Sequence, residues 1–364
     1  MTPGSLSQQL RTEPKPAVRR LRRVTRLHGA TRAAFLLLGL VCAAQPVAAQ
    51  DDTQYRLKLS DYSPPVHHQH GVIFTNWANE LAERSNGRLV VDLYPSQQLG
   101  KLSQQYNLAR RGDVDIAFVL HGIPAGRFPL TELAHLPMLF ESSEQSAQVL
   151  MDLVPDYLAA EHRGVKILYM FGHAPGSIYT VTRPVRRPED LRGLRIRHPS
   201  SVIGETLRIW GASPAGMPVG EIASNLDKGV IDGLVMPYDG IFGFRLAPFV
   251  SYATEIFSYI ATFAVVMNEQ SYADLPPDLQ LLIDDTTGKR AAREVGAAWD
   301  AVEVPGREFT LASGVEIISL SEAERAVFAE AAAPLVERRI AAAEAMGLPA
   351  REYIARLREL AEQY

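Results

Sequence analysis

Two short segments of this 364-residue chain combine residue types that can hold an anion. The run from Pro188 to Arg197, PEDLRGLRIR, reads as a turn with a carboxylate at a helix start, leading into a short strand that ends on arginine. About thirty residues later stands Gly229 to Gly233, GVIDG. A planar guanidinium on a rigid element can fork onto a carboxylate with two charge-assisted hydrogen bonds, which suits capture of an organic acid. Arg195 and Arg197 alternate with Leu194 and Ile196, the pattern of any half-exposed strand, and residues two apart share a face. Spacing alone leaves open which arginine forks, or whether the pair is only a polar strand face. A second cluster is His67, His68 and His70. Grouped imidazoles can ligate a metal, but residues at i and i+2 splay apart in an extended segment, and no cysteine or neighbouring carboxylate completes a set. The expectation is a polar loop at a lobe edge, with no metal.

Catalytic constellations are poorly represented. The sequence holds no phosphate-binding P-loop, dinucleotide-type glycine pattern, nucleophile elbow or zinc-protease helix motif. Gly211 to Gly216, GASPAG, comes nearest to an elbow, but its spacing is wrong and Pro214 disfavours the helix that should follow. The expectation is a protein that is not an enzyme and needs no cofactor.

The segments that position these residues begin after a distinctive start. Residues 1–49 carry eight basic side chains against the single acid Glu13, then the apolar stretch Ala33 to Ala44, then the small residues Val47, Ala48 and Ala49. That order describes a secretory signal peptide with a long basic part, cut near Ala49 and exporting the protein to the periplasm. The remaining 315 residues hold 29 basic and 40 acidic side chains, a net charge near −11. Such a surface argues against nucleic acid as a partner. Cys42, the one cysteine, leaves with the signal, so no disulfide is expected.

Beyond residue 50 strands and helices alternate, the signature of an α/β architecture. Tyr55 to Ser60 and Leu89 to Tyr94 alternate as strands, Val114 to Leu120 is a nearly continuous apolar strand, and Val165 to Phe171 is another. Ile73, Trp77 and Leu81 mark the buried face of a helix that Asn86 and Gly87 close. Past Gly172 the prolines and glycines suggest a crossing to a second lobe, where Ile231 to Met236 is a buried strand. Phe257 to Met267 reads as a strand returning to the first lobe. Ser321 and Glu324 form a capping-box pattern at the start of a helical tail, with Gly347 a stop signal.

In this order and spacing the residues match a known family. The chain after residue 50 resembles the periplasmic solute-binding subunits of tripartite ATP-independent (TRAP) transporters, the DctP-like family. The likeness includes Ser85 to Leu89, Tyr94 to Gly100, Arg111 to Asp115, Leu136 to Phe140, and most diagnostically Asp190 to Arg197 and Gly229 to Gly233 preceded by Gly211 to Pro214. It implies an α/β, two-lobe periplasmic binding protein (class II-like), each lobe a mixed sheet flanked by helices, joined by crossing strands and a long helix. On this pattern the signal spans 1–49, lobe I 50–173, lobe II 174–262, and a return to lobe I with the connecting helix 263–304. C-terminal helices in 305–364 would pack mainly on lobe II.

What the resemblance implies about function is capture of an organic acid between the lobes and delivery to membrane permease subunits, by a monomer. It places the carboxylate-binding arginine at Arg197. Relatives that bind sialic acid carry a second arginine where Ser177 stands, polar groups where this chain has Leu120, His121, Gly122 and Ile123, an asparagine at Met236 and an aromatic at Val219. The expected pocket is therefore less polar: Arg197 holds a monocarboxylate whose apolar or aromatic body packs on Leu120, Ile123, Val219 and Met236. Orienting hydrogen bonds would come from His121, Ser177, Tyr62 or Tyr238. A C4-dicarboxylate or keto acid is the competing ligand, its second charge needing Lys101 or Arg127. A periplasmic sensor subunit and a secreted enzyme are the alternatives from other classes.

Overall fold

The computed structural model describes residues 53–123 and 126–364, so the expected signal segment lies outside the described residues. The strands in chain order are β1 (Tyr55–Ser60), β2 (Leu89–Tyr94), β3 (Ile116–Leu120), β4 (Val165–Gly172), β5 (Ser177–Thr180), β6 (Arg195–His198), β7 (Ser213–Gly216), β8 (Gly233–Met236), β9 (Tyr252–Glu255), β10 (Thr262–Asn268) and β11 (Glu316–Ser319). They form two mixed sheets with helices around them. One has the order β2-β1-β3-β10-β4, the other β11-β9-β5-β8-β6-β7. The first is parallel through β2, β1 and β3, and β10 runs antiparallel to both its neighbours.

Patterning explains the elements. In β1 the side chains of Leu57 and Leu59 are buried while Arg56 and Lys58 are exposed, the alternation of a sheet with one covered face. β3 and β10 are buried throughout, as central strands covered on both faces require. Helix Thr75–Arg84 buries Trp77, Ala78 and Leu81 and stops where Asn86 (φ 53°) and Gly87 (φ 79°) turn left-handed. Helix Glu322–Glu344 starts at the capping box of Ser321 and Glu324.

The return strand is shorter than its apolar sequence predicts. It starts at Thr262, and residues Ser258 to Ala261 bond instead to the opposing crossing segment. Ser258 N–H donates to the Gly176 carbonyl, Gly176 N–H to that of Tyr259, and His173 N–H to that of Ala261. Burial without a strand ladder is what an apolar chain shows when it passes between two sheets. The last helix, Ala350–Ala361, buries Tyr353, Leu357 and Leu360 in a core shared with Val149 and Leu150 beside the first sheet. This differs from the expected packing of the tail mainly on the second lobe. Helix Glu322–Glu344 divides, with Phe328 and Ala332 in a core of the second sheet and Leu335 and Ile340 in that of the first.

The helix Gly288–Ala312 seats elements of both sheets. Asp300 accepts the backbone N–H groups of Ser143 (2.8 Å) and Glu144 (2.9 Å) at the start of helix Ser143–Leu153. Three residues on, Glu303 accepts those of Tyr238 (3.1 Å) and Asp239 (2.8 Å) at the start of helix Tyr238–Gly243. Positions i and i+3 lie on one helix face, so one stripe of carboxylates satisfies orphan donors of two helices. A Cβ at Gly306 would stand 2.6 Å from the Tyr238 carbonyl oxygen, so only glycine allows this approach.

Candidate functional site

Between the sheets lies a cavity of about 60 Å³, at the carboxyl ends of β3, β6 and β8. Open α/β sheets place ligands in this position because their loops diverge there. Leu120 closes β3 and Met236 closes β8; Phe263 enters from β10, Tyr62 and His67 from the segment after β1, and Trp299 from the long helix. Val219, Tyr259, His173, Asp239 and Phe244 complete most of the wall.

Among the described residues Arg197 is the one lysine or arginine in that wall. Its residue is 2% exposed, and its Nε donates to the Met217 carbonyl at 3.1 Å. Among the described residues neither terminal nitrogen has a hydrogen-bond partner and no carboxylate stands within 4 Å. Burial lowers the guanidinium pKa to about 10, opposed by the nearby Tyr259 and Tyr62 hydroxyls. Those two hydroxyls make no hydrogen bond to a described residue. A desolvated cation beside open donors is poised for an anion, since an uncompensated buried charge is costly and its pairing correspondingly favourable.

Arg195, on the same strand, is occupied. Its guanidinium holds both oxygens of Asp232 at 2.7 and 2.8 Å and the Gly229 carbonyl at 2.7 Å, on an exposed edge. Geometry thus separates the alternating arginines: Arg195 is paired on the edge, and Arg197 lines the cavity. The two diagnostic segments meet in that ion pair, and the next arginine along the strand is left for the cavity.

Of the residues singled out from sequence, the cavity gathers Arg197, Leu120, Val219, Met236 and Tyr62. Four stand elsewhere. His121 points into a buried chain in which Nδ1 meets Thr262 Oγ1 at 2.9 Å and Nε2 meets His162 Nε2 at 3.0 Å. Tyr238 donates to Glu255 at 2.9 Å, Ser177 is buried on β5 opposite Met236, and Ile123 packs against the core of the first sheet. Of the two further cations considered, Arg127 donates to the Tyr106 hydroxyl at 2.8 Å, and neither it nor Lys101 lines the cavity.

Sequence reasoning missed His67, His173, Asp239, Tyr259 and Trp299. His173 locks the crossing, its Nδ1 donating to the Ala174 carbonyl (2.6 Å) and its Nε2 accepting from Ala261 N–H (2.9 Å). The histidine loop is not a polar lobe edge. His67 is 2% and His70 9% exposed, and the His67 and His68 rings stack at 4.6 Å, with Trp299 beside them. Folding supplies the carboxylates the local sequence lacks: Asp61 lies 3.1 Å from His70 Nδ1, and Asp239 lies 3.8 Å from His67 Nε2. Ligating atoms of His67, His68 and Asp239 fall within 4.8 Å of one another, loose for a metal whose ligands stand about 2 Å from it.

The model of the bacterial extracellular solute-binding protein family 7 (DctP) matches residues 59–343. The chain belongs to that family. A marine metagenome TRAP solute-binding protein specific for aromatic acid ligands is 32% identical, with a TM-score of 0.83 over 85% of this chain and 99% of its own. Its crystal structures hold metahydroxyphenylacetate, introduced into a triple surface mutant by thermal exchange, and co-crystallised 3-hydroxybenzoate. A TRAP solute-binding protein from Rhodoferax ferrireducens T118, holding copurified benzoate, is 28% identical with a TM-score of 0.83, covering 85% of this chain and 98% of its own. The 2,3-diketo-L-gulonate-binding periplasmic protein YiaO of Escherichia coli K12 is 28% identical over 55% of this chain. That match spans 62% of YiaO, less than two thirds of its length. The expected two-lobe architecture and family are thereby established.

Proposed function

We propose that this protein is a periplasmic TRAP solute-binding subunit that captures a monocarboxylate with an apolar or aromatic body and delivers it to membrane permease subunits. The observation that carries the reading is Arg197: buried and, among the described residues, without a counter-ion and the single lysine or arginine of the cavity. The ligand carboxylate takes its two free terminal nitrogens, with the Tyr62 and Tyr259 hydroxyls as further donors. Leu120, Val219, Met236, Phe263 and Trp299 pack the body. A C4-dicarboxylate would bring its second charge to a wall that offers no further lysine or arginine among the described residues, a desolvation cost of several kcal/mol on the order of those for unpaired buried ions. Relatives that hold aromatic acids in the same fold support the assignment. In this reading residues 1–49 direct export and are removed near Ala49, and the protein acts as a monomer without catalysis.

The test is a thermal-shift and calorimetric series of aryl carboxylates, branched aliphatic acids and dicarboxylates. A ligand present at 100 times its dissociation constant stabilises by about 2.7 kcal/mol, easily visible in a melt. Aryl or branched monocarboxylates are expected to bind. Tight binding of succinate or malate with none of the aromatic acids sinks the reading.

A further inference from the structure

The cavity has a second polar pole, apart from Arg197. His67 stands on the loop after β1, and Asp239 in the first turn of helix Tyr238–Gly243. Nδ1 of His67 accepts the Gln69 N–H at 3.2 Å. Burial and the neighbouring His68 hold the ring well below its ordinary pKa, so it is neutral and its one hydrogen sits on Nε2. That Nε2–H faces Asp239 Oδ2 at 3.8 Å, beyond hydrogen-bond reach. Asp239 is itself 2% exposed, and its Oδ1 is buried with no partner among the described residues; burial and the neighbouring Glu303 push its pKa well up, and in a protonated carboxyl the carbonyl oxygen still accepts. An open donor and an open acceptor therefore stand side by side in the cavity wall, flanked by the rings of Phe244 and Trp299 at 5.2 and 5.7 Å from His67.

A group that accepts one hydrogen and donates another satisfies both. A ketone only accepts, an ammonium only donates, and a hydrocarbon does neither; a hydroxyl does both. We propose that His67 and Asp239 form a hydroxyl-recognition subsite, and that the ligand is a hydroxy-carboxylate whose hydroxyl lies on the body, away from the acid group. The inference rests on the carboxylate reading given above. Separation of the two groups follows because Arg197 and Asp239 line one cavity yet make no ion pair within 4 Å. A divalent metal at His67, His68 and Asp239 is the competing occupant, but it needs the lone pair of the same Nε2 that carries the hydrogen, and so requires breaking the Gln69 bond.

Calorimetry on the full protein with benzoate, 3- and 4-hydroxybenzoate, mandelate, hexanoate and 6-hydroxyhexanoate tests this. A site built to bond a hydroxyl rejects the analogue lacking it, so one body-hydroxylated acid is expected to bind about tenfold or more tighter than its parent. Asp239→Leu and His67→Phe, each checked for a cooperative melt, should bring that ratio toward one, whereas Arg197→Ala should weaken both members of the pair. Equal affinity for parent and hydroxylated acids, or a ratio that survives both substitutions, overturns the subsite and leaves the carboxylate reading standing. If none of these acids binds, the carboxylate reading itself falls and carries this one with it. Hydroxyl preference abolished by EDTA and restored by zinc would make the pair a metal site instead.

Discussion

At the scale of single residues the chain separates two arginines that look alike. Arg195 is neutralised on the surface by Asp232, and Arg197 is carried under cover with its fork open. Arg197→Ala is expected to weaken carboxylate binding by about 2 to 5 kcal/mol, tens- to thousands-fold, because the partner charge is left desolvated and unpaired. The same change removes an uncompensated buried cation, so the melting temperature without ligand should hold or rise. Calorimetry and thermal melts of the two proteins check both halves; unchanged affinity would place the carboxylate elsewhere. Strand alternation made both arginines candidates, and Gly229 to Gly233 was recognised without its partner, since an ion pair 37 residues apart leaves no periodic trace. His121 was legible as polar among apolar neighbours but not as a link in a buried chain, because its partners Thr262 and His162 arrive from other elements. Asp239 reads locally as an ordinary acid at a helix start, and only packing deprives its Oδ1 of a partner.

At the scale of elements, alternating strands, capped helices and the buried runs of β3 were readable because they depend on periods of two and 3.6 residues. The connecting role of helix Gly288–Ala312 came only from the resemblance, and its seating stripe was not readable at all, since Asp300, Glu303 and Gly306 are spaced as an exposed face would be. Burial raises the Glu303 carboxyl to about 7 from its ordinary 4.5, against the two backbone N–H groups that favour its charge. Between those values the folded state binds the proton and the unfolded state does not, so this group's contribution declines as pH rises. Glu303→Gln lacks that contribution, and the stability difference between variant and wild type should shift toward the variant as pH rises from 5 to 8. Urea unfolding at a series of pH values measures it; a constant difference would show that the carboxyl titrates normally. Gly306→Val drives a side chain into the Tyr238 carbonyl. Overpacking typically costs about 1 to 3 kcal/mol, and here it should weaken ligand binding as well, because Asp239 follows directly on the displaced residue.

At the scale of the whole molecule, seven histidines among the described residues (His67, His68, His121, His135, His162, His173 and His198) are held below their ordinary pKa chiefly by burial, four of them to about 4 and His135 to about 3. The unfolded chain takes up those protons near pH 6.5 and the folded one refuses them until far lower, so stability is lost as pH falls through that window. Six carboxyls raised chiefly by burial pull the other way, Glu132 and Glu303 to about 7 and Asp61, Glu161, Asp239 and Asp300 in the same direction. The histidines outnumber them, and the urea midpoint should fall between pH 7 and pH 5. Several of these groups also stand where the two sheets meet. His135 Nδ1 lies 3.0 Å from Ser200 Oγ, Ser201 donates to Glu132 at 3.1 Å, and a Cβ on Gly122 would fall 2.3 Å from that of Ser200. A loop of the first sheet is thereby fastened to the turn after β6, three and four residues beyond Arg197. Two-lobed binders close because only the closed state buries the ligand from both sides, and binding energy is what holds them shut. Small-angle scattering should then show a smaller radius of gyration when ligand is added, with the chain pivoting near Gly172 and Phe263. Gly122→Val wedges the fastening apart, meeting Ser200 and the carbonyl of Pro199 at the edge of the cavity wall, so it should enlarge the radius of gyration and weaken ligand binding together. A variant that binds with wild-type affinity and scatters as the wild type does would show that this contact takes no part in closure.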